Sequence, residues 1–334
     1  MEDLLVSGQS SKAFQTPFRR ILLMQGQFQS MEENFLAFFG HLNIDVVMRV
    51  PSLPCRGSVN IQRHEENFGG TAGNFAMIAS SLGVPFHLYS AVSQNSHGKF
   101  LEFLRSRNID TEHIYISGDY GPICYSATDG KDQVYYIYQG PMDEPFSQAV
   151  LKKNSGYRWV HLGTGPQADY INVAENTAGK KVFDPGQELS YRYSRDDISK
   201  MVSASSLWIL NEHELSVASK IMGVPEEQVI GMTPETIVTR GATGSTLYGP
   251  DGRTEIKSRK SGVVFDTIGA GDAYRAGFYL GIYRGLDTAH SCAMGSIVSG
   301  LAVQKPLRDF KYTAMDIFDI FESEADNMIT PQKD

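Results

Sequence analysis

From Val263 to Gly285 the chain reads VVFDTIGAGDAYRAGFYLGIYRG, the pattern of a strand, a tight turn of small residues and a helix. Gly269, Ala270 and Gly271 leave the amides of that helix N-terminus uncovered. Orphan N–H groups and the positive end of the helix dipole together suit a phosphoryl group. Asp272 follows in the first turn, within reach of a hydroxyl that attacks phosphorus held there, and can take its proton. A plainer reading stays open: Asp272 only complements the dipole, and the glycines, with Gly277, Gly281 and Gly285, only allow close helix packing.

Other spacings point elsewhere or nowhere. Gly163, Gly165 and Ala168 form GxGxxA after an apolar run, with Asp184 about 20 residues on, as a dinucleotide-binding unit would have. That reading implies an NAD-dependent oxidoreductase, but Pro166 removes an amide that a pyrophosphate would use. A GxxxxGK[ST] loop is absent, since Phe100 follows Gly98 and Lys99 and position 93 is serine. The histidines, at 41, 64, 87, 97, 113, 161, 213 and 290, are scattered and make no HExxH, so no histidine metal site is expected from spacing.

The elements that must carry these residues follow from hydrophobic period. Short apolar runs at Phe35–Phe39, Phe86–Ala91, Trp159–Leu162, Val182–Asp184, Leu207–Leu210 and Thr236–Thr239 alternate with helical stretches, which predicts an α/β protein with a mostly parallel sheet. One helical stripe runs through Ala76, Met77, Ala79 and Leu82 to a capping Gly83, and another through Phe100, Leu101, Phe103 and Leu104. Asp45–Glu66 and His113–Gln139 break the rhythm with successive strand-like runs, so a small second sheet is expected there. Along it Val134, Tyr136 and Tyr138 share one face and Tyr135 and Ile137 the other. One face can cover a ligand and the other a partner subunit, or the strand can be an aromatic edge of the main core.

Composition narrows the partners. The 334 residues carry 30 basic and 38 acidic side chains, a formal charge of -8, without the basic face that a nucleic-acid backbone needs. No apolar run approaches the 18 or so residues of a membrane span. Cys55, Cys124 and Cys292 form no CxxC pair, which favours a reducing cytoplasm. Residues 1–33 are expected to be an extension outside the fold, and residues 326–334 a polar tail.

DTIGAGDAYRAGF closely resembles the signature of the PfkB family of carbohydrate and nucleoside kinases. The resemblance extends over residues 34–325 and implies a ribokinase-like fold: a mostly parallel central sheet flanked by helices, with a small β-sheet lid from about 45–66 and 113–139. It implies phosphoryl transfer from ATP to the hydroxymethyl group of a sugar, with Asp272 and the turn Gly269, Ala270 and Gly271 as the catalytic centre. GHLNIDVV and FGGTAGNFA imply acceptor contacts from Asn43, Asp45, Gly69, Gly70 and Asn74. NEHE implies that Asn211 and Glu214 organise water around Mg2+, although N-terminal capping explains the same pair. VTRGATGSTLY implies nucleotide contacts from Thr239, Gly241 and Gly244. Asp266 and Ile268 match positions where some members hold a monovalent cation such as K+.

Gln187 and Glu188 depart from the pattern, standing where an arginine is often found nearby. These motifs do not choose between a nucleoside and a free ribose or fructose. Phe68 and the lid residues Tyr120, Tyr125, Tyr136 and Tyr138 could stack on a base, and the reading leans to a nucleoside kinase. A non-catalytic sugar-binding protein would have lost Asp272, Asn211 or Glu214, and all three are present. The family also allows a homodimer in which the lids clasp.

Overall fold

The structure, a computed structural model, describes residues 34–151, 156–260 and 262–332. The extension expected over 1–33 lies outside the described residues. Fourteen strands among them form two sheets. β1 (Leu36–Phe39), β4 (His87–Val92), β5 (Ile114–Ile116), β8 (Trp159–Leu162), β9 (Lys180–Phe183), β10 (Leu207–Asn211), β11 (Glu235–Thr239), β12 (Ser245–Gly249), β13 (Gly252–Ile256) and β14 (Ile329–Gln332) build the larger. Its order is β14-β13-β12-β11-β10-β9-β8-β1-β4-β5, parallel from β5 to β11 and antiparallel through the last three pairs. All four residues of both β1 and β8 are buried, because helices cover both faces of a parallel sheet and leave no solvent side for alternation.

Eight helices of ten residues or more are described: α1 (Thr71–Ser81), α2 (Gln94–Ser106), α3 (Gln167–Asn176), α4 (Arg195–Ala204), α5 (Glu212–Met222), α6 (Ala270–Tyr283), α7 (Thr288–Ala302) and α8 (Ala314–Met328). One apolar cluster joins α1, α2, α6, α7 and α8 to the sheet, and a second fills the opposite side with α3, α4 and α5. In the first, Phe38 lies between the rings of Phe75 (3.9 Å) and His161 (4.2 Å), a burial worth roughly 1.5–3 kcal/mol. α6 and α7 approach closely because Gly277 and Gly281 carry no Cβ; one would stand 2.6 Å from the Met294 carbonyl and 2.7 Å from Ser291 Oγ. This packing sets the direction in which the first turn of α6 presents Asp272.

The smaller sheet has the order β3-β2-β6-β7, from β2 (Asn43–Arg49), β3 (Arg63–Gly69), β6 (Ile123–Thr128) and β7 (Gln133–Tyr138). All six residues of β7 are exposed, so the strand is the edge of the lid and not part of the main core.

Three expectations are corrected. Ile114–Ile116, expected in the lid, pairs with β4, since a short apolar strand beside a parallel neighbour completes the edge of the larger sheet. Val263–Asp266 is no strand: the amides of Phe265 and Asp266 donate to the Val303 carbonyl at the end of α7 instead of to a ladder. The tail expected from 326 continues α8 to Met328 and forms β14, which pairs with β13; Met328 is buried against the core, and that anchors the strand.

Candidate active site

The chain leaves β1 toward β4 on one side and returns through β8 on the other, so a crevice opens at the carboxyl ends of these strands. Gly40 to Leu42 lead from β1 into β2, whose Asn43 pairs with Gly69 and whose Asp45 pairs with Asn67. Gly70 has a φ of 81°, and a Cβ there would meet the Asn43 amide at 2.6 Å. Its neighbour Gly69 is glycine because the Asp45 carboxylate occupies the space a Cβ would take. Both glycines therefore answer first to protein contacts, where the sequence suggested close approach to a sugar.

α1 starts immediately after Gly70, and the Ala72 amide donates to the His41 carbonyl (3.0 Å). In its first turn Asn74 Nδ2 donates to Asp272 Oδ2 (2.9 Å). Two helix N-termini, α1 and α6, are thereby joined across 198 residues of chain. Asn43 Oδ1 is buried beside them without a protein partner among the described residues, a feature of an acceptor available to a ligand hydroxyl.

Charge is concentrated here. Burial pushes Asp272 up from 3.8 to about 6, while Arg275 and the Asn74 amide hold it down and Asp184 adds a smaller push upward. Asp45 rises to about 7, first through burial and then through the charge of Asp272. Arg275 grips Asp184 through two nitrogens, and its Nη1 lies 3.6 Å from Asp272 Oδ1. Asp184 is buried, and its carboxylate is raised by desolvation but lowered by Arg275. Glu214 is raised by burial and by Asp184, so a line of carboxylates runs from Asp45 through Asp272 and Asp184 to Glu214 around one guanidinium. Arg275 was not among the residues singled out from the sequence; the available signal was its position three residues after Asp272 on a helix.

The N-terminus of α6 differs from the expected turn in one respect. Gly269 adopts φ 75°, which favours glycine, but the Ala270 amide already donates to the Thr267 carbonyl (3.1 Å). Ala270 is therefore not an uncovered donor. For the Gly271 and Asp272 amides no protein partner is found among the described residues.

On the other side Asn211 ends β10 beside Thr239, its register partner at the end of β11. Asn211 Oδ1 accepts from the Glu214 amide (2.8 Å) and Glu214 Oε2 from the Asn211 amide (2.8 Å), so the capping reading of NEHE holds in the structure. Gly241 and Gly244 both take positive φ in the turn that follows β11, at 51° and 109°. Asp266 and Ile268 lie in an exposed loop, where Asp266 Oδ1 accepts from the Ile268 amide (2.9 Å).

The lid reverses part of the aromatic expectation. Register places Asn67, Asp45, Cys124 and Ile137 in one row across the sheet, and Tyr135 is two residues from Ile137 on the same face. Tyr125, Tyr136 and Tyr138 lie on the other face or alternate to it, with Tyr125 hydrogen-bonded to Tyr120. Phe68 is stacked on Phe100 at 4.5 Å and packs against the core, so it offers no platform beside Asp45. His97 does not face the crevice either: Nε2 meets the Leu42 carbonyl (2.9 Å), and burial lowers its pKa to about 4. His41 is committed to Thr164 (2.8 Å) and, through Nε2, to Gln139 (2.5 Å), tying the end of β7 to the floor.

The dinucleotide reading fails in the same region. Gly163 N–H donates to the Phe39 carbonyl (3.0 Å) and Gly165 N–H to Glu188 (2.5 Å), so two turn amides that would bind pyrophosphate are engaged. Asp184, the ribose partner in that reading, is held by Arg275. Glu188, which departs from the family pattern, has the local task of anchoring this loop and Arg192 (3.1 Å).

Known proteins resemble the chain over most of its length. A nucleoside kinase of Thermoplasma acidophilum is 38% identical over 294 residues, covering 88% of this chain and 96% of its own. A nucleoside kinase of Methanothermobacter thermautotrophicus is 31% identical, with 82% of this chain and 90% of its own covered. The crystal structure of a Methanocaldococcus jannaschii nucleoside kinase, a member of the ribokinase family, superposes with a TM-score of 0.79 at 25% identity, over 87% of this chain and 99% of its own. The family description "pfkB family carbohydrate kinase" matches residues 33–311, most of the length, and the chain belongs to that family.

Proposed function

We propose that this kinase is a nucleoside kinase, transferring the γ-phosphoryl group of ATP to the hydroxymethyl oxygen of a nucleoside, with Asp272 as general base. The observation that carries it is the buried Asp272 carboxylate at the start of α6, held by Asn74 on one side and flanked by Arg275 on the other. In the step the acceptor oxygen bonds to phosphorus, the bond from phosphorus to the β-phosphate oxygen breaks, ADP leaves and the hydroxyl proton passes to Asp272. The Gly271 and Asp272 amides receive the growing charge; such a donor is worth roughly 10²–10³ in rate. Alignment supplies most of the rest. Support for a nucleoside acceptor comes from the two relatives named above.

Asp45 and Asn43 hold the sugar hydroxyls, with Gly69, Gly70 and Asn74 shaping the site. Asn211, Thr239, Gly241 and Gly244 hold the nucleotide. Asn211 and Glu214 each commit one oxygen to the other's amide, so this hard-oxygen pair fits the water shell of magnesium rather than the ion itself. Magnesium supplies charge neutralisation on the donor phosphates when bound. Asp266 and Ile268 are the candidate oxygen donors for potassium; rates in KCl above those in tetramethylammonium chloride test that assignment. Tyr135 and Ile137, on the lid face shared with Asp45, are placed over the base. Three free thiols accord with a cytoplasmic setting, and no described helix is long and apolar enough to cross a membrane.

A coupled ADP-release screen over nucleosides, ribose, fructose and phosphorylated sugars tests the proposal. Turnover with nucleosides is expected; a response confined to free hexoses would overturn the acceptor. Gly69→Ala is expected to raise KM for the nucleoside with little change in KM for ATP, because the new methyl group displaces the Asp45 carboxylate.

We place a homodimer contact on the lid. β7 is an edge strand with open backbone groups, and Tyr136 and Tyr138 on the face away from Asp45 are 63% and 53% exposed. Light scattering is expected to give twice the chain mass, and the single chain mass for Tyr136→Glu with Tyr138→Glu. A monomeric parent chain would end the assignment.

A further inference from the structure

Histidines 26 residues apart gave no metal-site spacing, but the sheet edge brings two of them together. His87 is the first residue of β4, at the end of the strand remote from the crevice. His113 directly precedes β5, whose Ile114 pairs with Ser90 of β4. Asp110 lies in the same loop, three residues before His113. One ligand atom from each of His87, Asp110 and His113 lies within 4.8 Å of the others.

We propose that His87, Asp110 and His113 bind a divalent transition-metal ion of the zinc type, which fastens the loop between α2 and β5 to the start of β4. Two imidazoles and a carboxylate are the donor set such ions favour over magnesium or calcium, which prefer oxygen alone. Zinc bonds of about 2.0–2.2 Å put tetrahedral ligand atoms about 3.4 Å apart, so rotations that move these atoms by roughly an ångström close the set.

The surroundings are those of a metal-bound histidine. His87 Nδ1 is paired with the Tyr157 hydroxyl (2.6 Å), which also meets the Tyr89 hydroxyl (2.9 Å); in the proposed site Nδ1 carries the proton toward Tyr157 and Nε2 is the ligand. Such an outer partner fixes ring orientation. His113 is stacked on Tyr89 (4.9 Å, 13°) and lies edge-on to His87 (4.9 Å). Beyond it a surface cavity of about 350 Å³, lined by Glu112, His113 and residues 148–151, lets water reach His113. The phosphoryl-transfer residues are at the opposite ends of the strands, so the ion has a structural role.

The test is calorimetric titration of the chelator-stripped full chain with Zn2+, with Mg2+ as control and Co2+ as spectroscopic probe. One zinc per chain, a rise in Tm with zinc and a cobalt spectrum of nitrogen and oxygen ligands are expected. His113→Ala and Asp110→Asn should each weaken zinc by about tenfold or more, and Tyr157→Phe by a similar factor through the outer hydrogen bond, with kinase turnover in MgATP unchanged. Equal zinc affinity in parent and His113→Ala, or a cobalt–thiolate charge-transfer band that assigns the ion to a cysteine, would overturn the proposal.

Discussion

Asp272→Asn is expected to lower kcat by about 10²–10⁴-fold while ATP binding stays within a few-fold of the parent. The substitution keeps the shape of the side chain, and its oxygen can still accept from Asn74 Nδ2. What it cannot do is receive the hydroxyl proton. Steady-state kinetics with equilibrium ADP binding separate these effects; near-normal turnover would remove Asp272 from the reaction. The pH profile adds an independent check. Asp272 rises to about 6 and Asp45 to about 7, and in the proposed mechanism both act as carboxylates. kcat/KM should therefore fall as pH drops through 7 and then 6, with a slope approaching two protons below.

Stability runs the other way. Both groups start from 3.8 in an unfolded chain, so the folded, ligand-free protein binds protons more readily between those limits. Their contribution to stability is fully present below about 4 and is lost as pH rises through about 6 and 7. The site thus costs stability at the pH where it is charged and competent, and a bound acceptor that donates hydrogen bonds to Asp45 offsets part of that cost.

Arg275→Met carries the second large effect. Removing the guanidinium leaves the Asp184 carboxylate buried without its paired cation, a loss of about 3–5 kcal/mol in comparable sites. It also removes the charge that holds Asp272 down, so the acid limb of kcat/KM moves to higher pH. Denaturant unfolding and the pH profile together read both consequences. Arg275→Lys should retain most of the profile, because a positive charge remains, but lose stability with the two-pronged grip on Asp184. Pairing Arg275→Met with Asp184→Asn relieves the orphaned charge and should recover part of the stability, while the acid limb stays shifted. An unshifted limb in that double variant would mean that Arg275 only braces the fold.

Much of the architecture was legible before any coordinates. Trp159–Leu162 is a strand over the residues its apolar run marked, and Phe100, Leu101 and Leu104 are buried on one face of α2. These readings succeed because burial on a strand or helix face imposes a period on the residues themselves. Val263–Phe265 misled for the same reason in reverse: three apolar residues look like a strand, yet the Phe265 amide is engaged by the end of α7 and all three side chains are exposed. Residues 326–332 were too polar to look structured, because β14 is held by its ladder to β13 and by only two apolar side chains, Met328 and Ile329, against the core.

By itself the sequence determined the small-residue turn before Asp272 and the alternation that builds a parallel sheet, since each is written in residue type and short spacing; Asn43, Asp45 and Asn74 were marked by the family resemblance and stand as proposed acceptor contacts. Tertiary structure alone decided that Asn74 reaches Asp272 across 198 residues, that Arg275 joins Asp272 to Asp184, that Tyr135 rather than Tyr136 shares a face with Asp45, and that His87 meets His113 at the sheet edge. The physical reason is common to all four. Partners distant along the chain become neighbours only through strand register and helix packing, and a shift of one residue in either would exchange the groups that face the site for those that face away.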